Sequence, residues 1–560
     1  MKALQRGFIA VGQRRVHYRR AGHGPPVVLL HGSPGDSEML GAEMAALAET
    51  HCCIALDTAG FGFSDALPGE VLSVPDLAGA TAAAMAALGL PPCPVYGTHT
   101  GAAIALELGL GWPQQVSGLV LEGLPIFSQA EIDALFGDYF APMVPDPLGG
   151  HLFATWMRFR DQFTWFPWTS RSVARLNPVD RPRPADIHHW VAMYYRSCKT
   201  YRPAYRAACH YGPLAVDAVR RLQLPAVFMA SAEDMLHPHL DRLPPLRAGQ
   251  HIERLAHDEA AKHRAIAGFV AGLPAASSDA FEPPSQSAGH DPAWRFIDSG
   301  AGQVLLRSFG RPDSPALMLL HDAPGSGQAL LAMARALADD FHVLLPDLPG
   351  NGESTPPAEG DSALAAGAAA LQAIASELGL KRYAVAGFGC GAAVAARLVQ
   401  HRDPRLGELL LIAPPEPDEA TALAIAPPLP LSADGAHWMR AWMMLRDGQI
   451  YAPWFDGRIA AQRRTQGCFD AQWLHDQTCA LMAARASYHR LPQEAWRSDS
   501  VATLARAELP VHVVPSPQPG AAELSEAEIL GLIRSHLSPD RTSSKPDRTL
   551  TEPRYGRTES

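Results

Sequence analysis

Short, unbroken apolar runs punctuate the chain at 27–30, 53–56, 94–96, 116–121 and 224–230. Longer segments with helical patterning lie between them, such as the alanine-rich stretch 78–88. Apolar runs without polar alternation predict strands covered on both faces. Their alternation with helices predicts an α/β fold built on a mostly parallel sheet.

The run at 94–96 passes directly into Gly97-Thr98-His99-Thr100-Gly101 and then into an alanine-rich helical pattern. This is the strand–turn–helix context of a nucleophile elbow, in which glycines permit a sharp turn and the middle residue is held up at the strand's end. Serine, cysteine or aspartate is the usual occupant; here it is His99. Two other apolar runs end in His31-Gly32-Ser33-Pro34-Gly35 and in Asp57-Thr58-Ala59-Gly60-Phe61-Gly62-Phe63-Ser64.

All three motifs recur at one offset. His321–Gly325, Asp347–Ser354 and Gly387-Phe388-Gly389-Cys390-Gly391 each lie 290 residues after their counterparts. Further on, Trp156-Met157-Arg158-Phe159-Arg160-Asp161 recurs as Trp442-Met443-Met444-Leu445-Arg446-Asp447, and the spacing of Trp190 to Tyr205 as Trp473 to Tyr488. The period is too long for a solenoid and predicts a duplicated domain. The expected organisation is domain 1 over 1–274, a linker over 275–292, domain 2 over 293–538 and a disordered tail over 539–560.

A chain of 560 residues suits two cores, and a net charge of −10 without long charge runs excludes nucleic acid or an anionic membrane as the expected partner. Residues 1–16 have no apolar core of signal-peptide length, and no apolar segment is long enough to span a membrane. The eight cysteines form no C-x-x-C pair and read as reduced thiols of a cytoplasmic protein. The region containing His188, His189, His237, His239, His251, His257 and His263 is histidine-rich. None of these has the spacing of a specific metal site, so neither metal nor cofactor is expected.

Together the HGSPG, D-x-x-G-F-G-x-S and GTHTG stretches resemble the α/β-hydrolase family, once per repeat. The first copy is most similar to haloalkane dehalogenases, epoxide hydrolases and carbon–carbon-bond hydrolases. The resemblance implies two α/β-hydrolase domains, each with a helical cap, at about 125–222 and 414–506, packed like a covalently joined dimer. It implies oxyanion-hole donors from Gly32 or Ser33 and from Thr100, and an acid after the seventh strand, Asp234, or after the sixth, Glu122. It also implies a histidine before the closing helix, for which His257 is the choice over His251 and His263.

His99 departs from the family pattern. A neutral imidazole can attack an activated carbonyl or hold a water as general base. In the second copy the elbow residue is Gly389, and no carboxylate follows the strand at 509–514, so that copy is expected to be structural. The aromatic residues Trp156, Trp165, Phe166, Trp168 and Tyr194 are candidates for a pocket taking a small hydrophobic or aromatic molecule, although several recur in copy two. The expected activity is hydrolysis of an ester, lactone or activated carbon–carbon bond in domain 1. The alternatives are a non-catalytic binding or scaffold protein and a cofactor-free lyase or oxygenase.

Overall fold

The computed structural model describes residues 4–137, 139–177, 179–274, 281, 292–463, 467–504, 507–516 and 524–537. Most of the expected linker and all of the expected tail lie outside these residues. The chain divides into two compact units. Unit 1 comprises Met1–Val144, Gly150–His290 and Leu431–Gly435, and unit 2 comprises Pro145–Gly149, Asp291–Pro430 and Ala436–Ser560.

Unit 1 is built on eight strands: β1 (Gln5–Val11), β2 (Arg14–Ala21), β3 (Pro26–Leu30), β4 (Cys52–Leu56), β5 (Cys93–Thr98), β6 (Val116–Glu122), β7 (Ala226–Ser231) and β8 (Gln250–Leu255). Their order is β1-β2-β4-β3-β5-β6-β7-β8. β2 pairs antiparallel with β1 and β4, and every other pairing is parallel. Every residue of β3 and β4 is buried, as runs without polar alternation require. The helix expected at 78–88 spans Val74–Ala87 instead. It starts earlier because Ser73 and Asp76 cap each other's backbone reciprocally, and Pro75 suits the first turn.

Unit 2 repeats the plan with seven strands: β9 (Ala293–Asp298), β10 (Gln303–Phe309), β11 (Ala316–Leu320), β12 (His342–Pro346), β13 (Tyr383–Phe388), β14 (Leu406–Ile412) and β15 (Val511–Val514). Read from β9, the order is β9-β10-β12-β11-β13-β14-β15, which matches unit 1 up to β7. In each unit a group of helices separates the sixth strand from the seventh. In unit 1 these are Gln129–Leu135, Gly150–Thr164, Pro184–Ser197, Arg202–Cys209 and Gly212–Arg221. Among the described residues no helix is long and apolar enough to cross a membrane.

Two loop clamps recur in both units. The histidine of the HG motif accepts from the backbone of the neighbouring loop: His31 Nε2 from Thr58 N–H at 3.0 Å, and His321 Nε2 from Leu348 N–H at 2.9 Å. The other clamp is a buried aspartate with a basic partner, Asp57 with His17 (2.8 Å) in one copy and Asp347 with Arg307 (2.7 Å) in the other. These residues hold the loops in place and are not free for chemistry.

Candidate active site

β5 delivers the elbow. Gly97 and Gly101 pack so closely against the backbone that a Cβ on Gly97 would collide with Gly101 O, and one on Gly101 with Leu30 O. Between them His99 sits at φ 51° and ψ −108°, immediately before the helix Thr100–Gly111. A positive φ on a non-glycine residue is costly and persists only where its surroundings impose it. Here His99 N–H donates to Glu122 O at 2.9 Å, which ties the apex to the end of β6.

The imidazole faces Asp234, on the turn after β7. Nε2 lies 2.8 Å from Asp234 Oδ2, and Oδ1 of the same carboxylate accepts from Leu236 N–H at 2.8 Å. The His99 side chain is 39% exposed and that of Asp234 11%. With Nε2–H donated to the carboxylate, the neutral ring presents an unprotonated Nδ1, the nitrogen available to water or substrate. Burial would lower the His99 pKa, but the Asp234 carboxylate outweighs it and holds the pKa above its ordinary value. Burial would likewise raise Asp234, and His99 overcomes it, so this carboxyl stays below the usual range.

Gly123, at φ +60°, makes room for the pair, since a Cβ there would run into the His99 ring and Asp234 Oδ2. The corresponding residue of unit 2 is Ala413, which adopts φ 50° in spite of its side chain. The glycine belongs to the copy that carries the histidine–aspartate pair.

Of the two acids open to the sequence, the structure joins Asp234 to His99 and gives Glu122 another role. Glu122 is buried and accepts from the Tyr96 hydroxyl, with Lys262 Nζ 3.7 Å away. Burial pushes its pKa up, against the pull of Lys262. Lys262 also bonds Glu43 (2.9 Å) and Glu259 (3.0 Å). Glu43, Glu259 and His263 are the one group among the described residues with metal-ligand spacing. The Lys262 ammonium already supplies the cation to both carboxylates.

His257 stands apart from this pair. Its side chain is 68% exposed and Nδ1 lies 2.8 Å from Glu233, the neighbour of Asp234. The sequence placed it correctly before the closing helix, Glu259–Ala271. However, the short loop after β8 turns its ring to the surface carboxylate. Among the aromatic candidates, Trp156 is fully buried and donates its indole N–H to Ala433 O, so it is packing rather than pocket wall. Trp165 sits in an isolated bridge with Leu176. Phe166, Trp168 and Tyr194 belong to a continuous aromatic cluster among the inserted helices.

The Thr100 N–H heads its helix, where no intrahelical acceptor exists, and the Gly32–Ser33 loop passes beside the His99 Cβ position. Unit 2 shows what such donors do. Asp322 takes the position of Gly32, and its Oδ1 accepts from Ala323 N–H and Cys390 N–H, both at 2.8 Å. Those two residues occupy the positions of Ser33 and Thr100. A carboxylate oxygen of the chain itself therefore fills the spot on which the two N–H groups converge. A Cβ at Gly389 would collide with that carboxyl group, so glycine at the second apex and aspartate at 322 come together. Cys390 is buried with its thiol donating to Ala323 O, and burial raises its pKa well above the ordinary value. Sequence reasoning missed Asp322; the signal was the Gly32-to-Asp322 change paired with the His99-to-Gly389 change.

Comparison with known proteins identifies the fold. The family model described as alpha/beta hydrolase fold matches residues 25–252 and 315–493. Over 116 residues the chain is 33% identical to a pyrrolizixenacetamide deacetylase of Xenorhabdus hominickii, covering 20% of this chain and 43% of that protein. Over 107 residues it is 31% identical to haloalkane dehalogenase 2 of Mycobacterium tuberculosis, covering 19% and 37%. These matches span less than half of each relative's length. Among solved structures, epoxide hydrolase A from Mycobacterium thermoresistibile is similar, with a TM-score of 0.39 and 18% identity over 49% of this chain and all of that one. With two sheets of matching strand order and a family match on each, the chain belongs to the α/β-hydrolase fold family.

Proposed function

We propose that unit 1 hydrolyses an ester, lactone or activated carbon–carbon bond of a small hydrophobic or aromatic molecule, with His99 as water-activating base. The observation that carries this reading is the 2.8 Å contact of His99 Nε2 with Asp234 at the apex of the elbow. The proton of a bound water passes to His99 Nδ1 as its oxygen attacks the carbonyl carbon. Asp234 stabilises the imidazolium, and the N–H groups of Thr100 and Ser33 receive the oxyanion. As the intermediate collapses, the imidazolium returns its proton to the leaving group. A covalent route through His99 would call for a second base, and His257 is engaged with Glu233. The hydrolytic names of the relatives, a deacetylase and a dehalogenase, support the reaction class.

The same lone base favours a second reading, proton abstraction by a cofactor-free lyase or oxygenase. The eight free cysteines, six of them buried, support a reducing, cytoplasmic location. The test is a panel of p-nitrophenyl esters. His99→Ala is expected to lower kcat by about 10²–10⁴, the usual worth of a positioned base. Incorporation of heavy oxygen from labelled water into the acid product distinguishes hydrolysis from lyase chemistry. Turnover untouched by His99→Ala overturns the proposal.

A further inference from the structure

Away from the elbow, the inserted helices of unit 1 enclose a cation with no counter-ion among the described residues. The Arg158 guanidinium lies 4.6 Å from the Tyr194 ring centroid, 5.4 Å from Trp168 and 5.5 Å from Phe159. Its Nε and Nη2 are buried and make no hydrogen bond. Among the described residues no carboxylate pairs with it; Asp161, three residues on, is taken by Arg171. One further donor beside it is buried and unpartnered, the Trp168 indole N–H, and the Tyr201 hydroxyl lies against the guanidinium. Burial pushes the Tyr139 hydroxyl up to about 12 and raises Tyr194 as well, so neither is a phenolate that could neutralise the arginine.

Ring faces attract a cation, but they accept no N–H bonds. A buried guanidinium left with unbonded donors is unfavourable, and an anion in their reach relieves it. Unit 2 lacks the whole arrangement. Met444 stands in the place of Arg158, Gln477 in that of Tyr194 and Ala484 in that of Tyr201. The tryptophan is kept as Trp454, yet there its N–H has a partner, Ile425 O at 2.8 Å. The unsatisfied donors thus go with the copy that has His99.

The cluster is also connected to the elbow. Phe159 stacks on Trp190 with centroids 6.3 Å apart, and the Trp190 ring borders Gly35, in the loop whose Gly32 lies against His99. We propose that Arg158, flanked by Trp168 Nε1 and Tyr201 Oη, binds the carboxylate of a small aromatic or apolar organic acid. The planar fork of arginine matches a carboxylate, and the surrounding rings suit the apolar remainder. This deepens the hydrolase reading, making the substrate an ester or lactone that bears a second, free carboxylate. The binding itself does not require that reading.

The experiment titrates the full chain carrying His99→Ala with phenylacetate, phenylacetamide and inorganic phosphate, read by tryptophan fluorescence and by Tm. Phenylacetate is expected to bind at least about tenfold tighter than the amide, the worth of one charge-assisted hydrogen bond. In Arg158→Met, which installs the residue of unit 2, acid and amide should bind alike while Tm holds or rises. Tyr201→Phe should weaken the acid alone. Equal binding of acid and amide to the Arg158-containing chain overturns the proposal without any variant at Arg158 having to fold. So does phosphate competing with phenylacetate on equal terms, or an Arg158→Met chain that loses Tm yet keeps the preference for the acid. A His99→Ala chain that retains the preference for the acid while its ester turnover is untouched overturns the hydrolase reading and leaves this site standing.

Discussion

The two elbows of this chain have one backbone and opposite contents. His99 and Gly389 share φ 51°, with ψ within ten degrees of each other, at −108° and −118°. In unit 1 the apex carries an imidazole steered by Asp234, and the N–H groups below it face a loop with glycine at 32. In unit 2 the apex has no side chain, and Asp322 satisfies the corresponding N–H groups. Converging backbone donors are a property of the fold and require an anion or water in either copy. What differs is whether the chain supplies that anion itself.

The sharpest way to break the contrast is to graft the plug into unit 1. The Gly32→Asp Cβ would have His99 Cβ as its nearest neighbour at 3.4 Å, and its carboxyl, placed as in unit 2, would push the His99 side chain aside as well as fill the hole. The substitution should cut ester turnover by about 10²–10³, the range for losing an oxyanion-hole donor, with the fold retained by circular dichroism. Unchanged kcat would mean that the hole is not used. Gly123→Ala installs the unit 2 residue where the ring and Asp234 meet. A cost of about 10² in kcat/KM is expected, since small misplacements of a reacting group are that expensive.

The pH dependence tests the pair directly. With the His99 pKa held above its ordinary value, kcat/KM should rise with pH through an inflection above the ordinary histidine range, as the ring becomes neutral. Asp234→Asn removes the carboxylate that outweighs burial, so the inflection should move to lower pH while the plateau falls. An inflection that stays in place would separate the rate from this pair. For stability the signs are opposite. The raised His99 favours the folded state below its unfolded pKa and loses that contribution as pH rises through the folded value. The lowered Asp234 contributes above its unfolded pKa and loses it as pH falls. The smallest effect belongs to His257→Ala, which breaks an exposed pair with Glu233 and should change kcat by less than about twofold and stability by under about 1 kcal/mol. A large loss of kcat would return His257 to the site.

Much of the candidate site was legible along the chain because the motifs are local. The elbow glycines, the HG loop and the 290-residue offset need only neighbours in sequence, and each strand run carries its own burial pattern. The choice between Asp234 and Glu122 was not local. Both follow core strands, and which one meets an imidazole 135 residues from Asp234 depends on the register of β6 against β5 and β7 and on the turn after β7. His257 likewise looked well placed by spacing, yet a loop fixes where its ring points.

The sequence by itself determined a doubled α/β-hydrolase scaffold with a histidine at one apex and glycine at the other, because strand burial, turn glycines and repeat spacing are written residue by residue. Only the tertiary structure decided that Asp234 rather than Glu122 orients His99, that Asp322 fills the second hole, and that Arg158 is buried with no counter-ion among the described residues. Each of these depends on side chains meeting from segments far apart in the chain, where a fraction of an ångström or one rotamer decides which donor finds which acceptor.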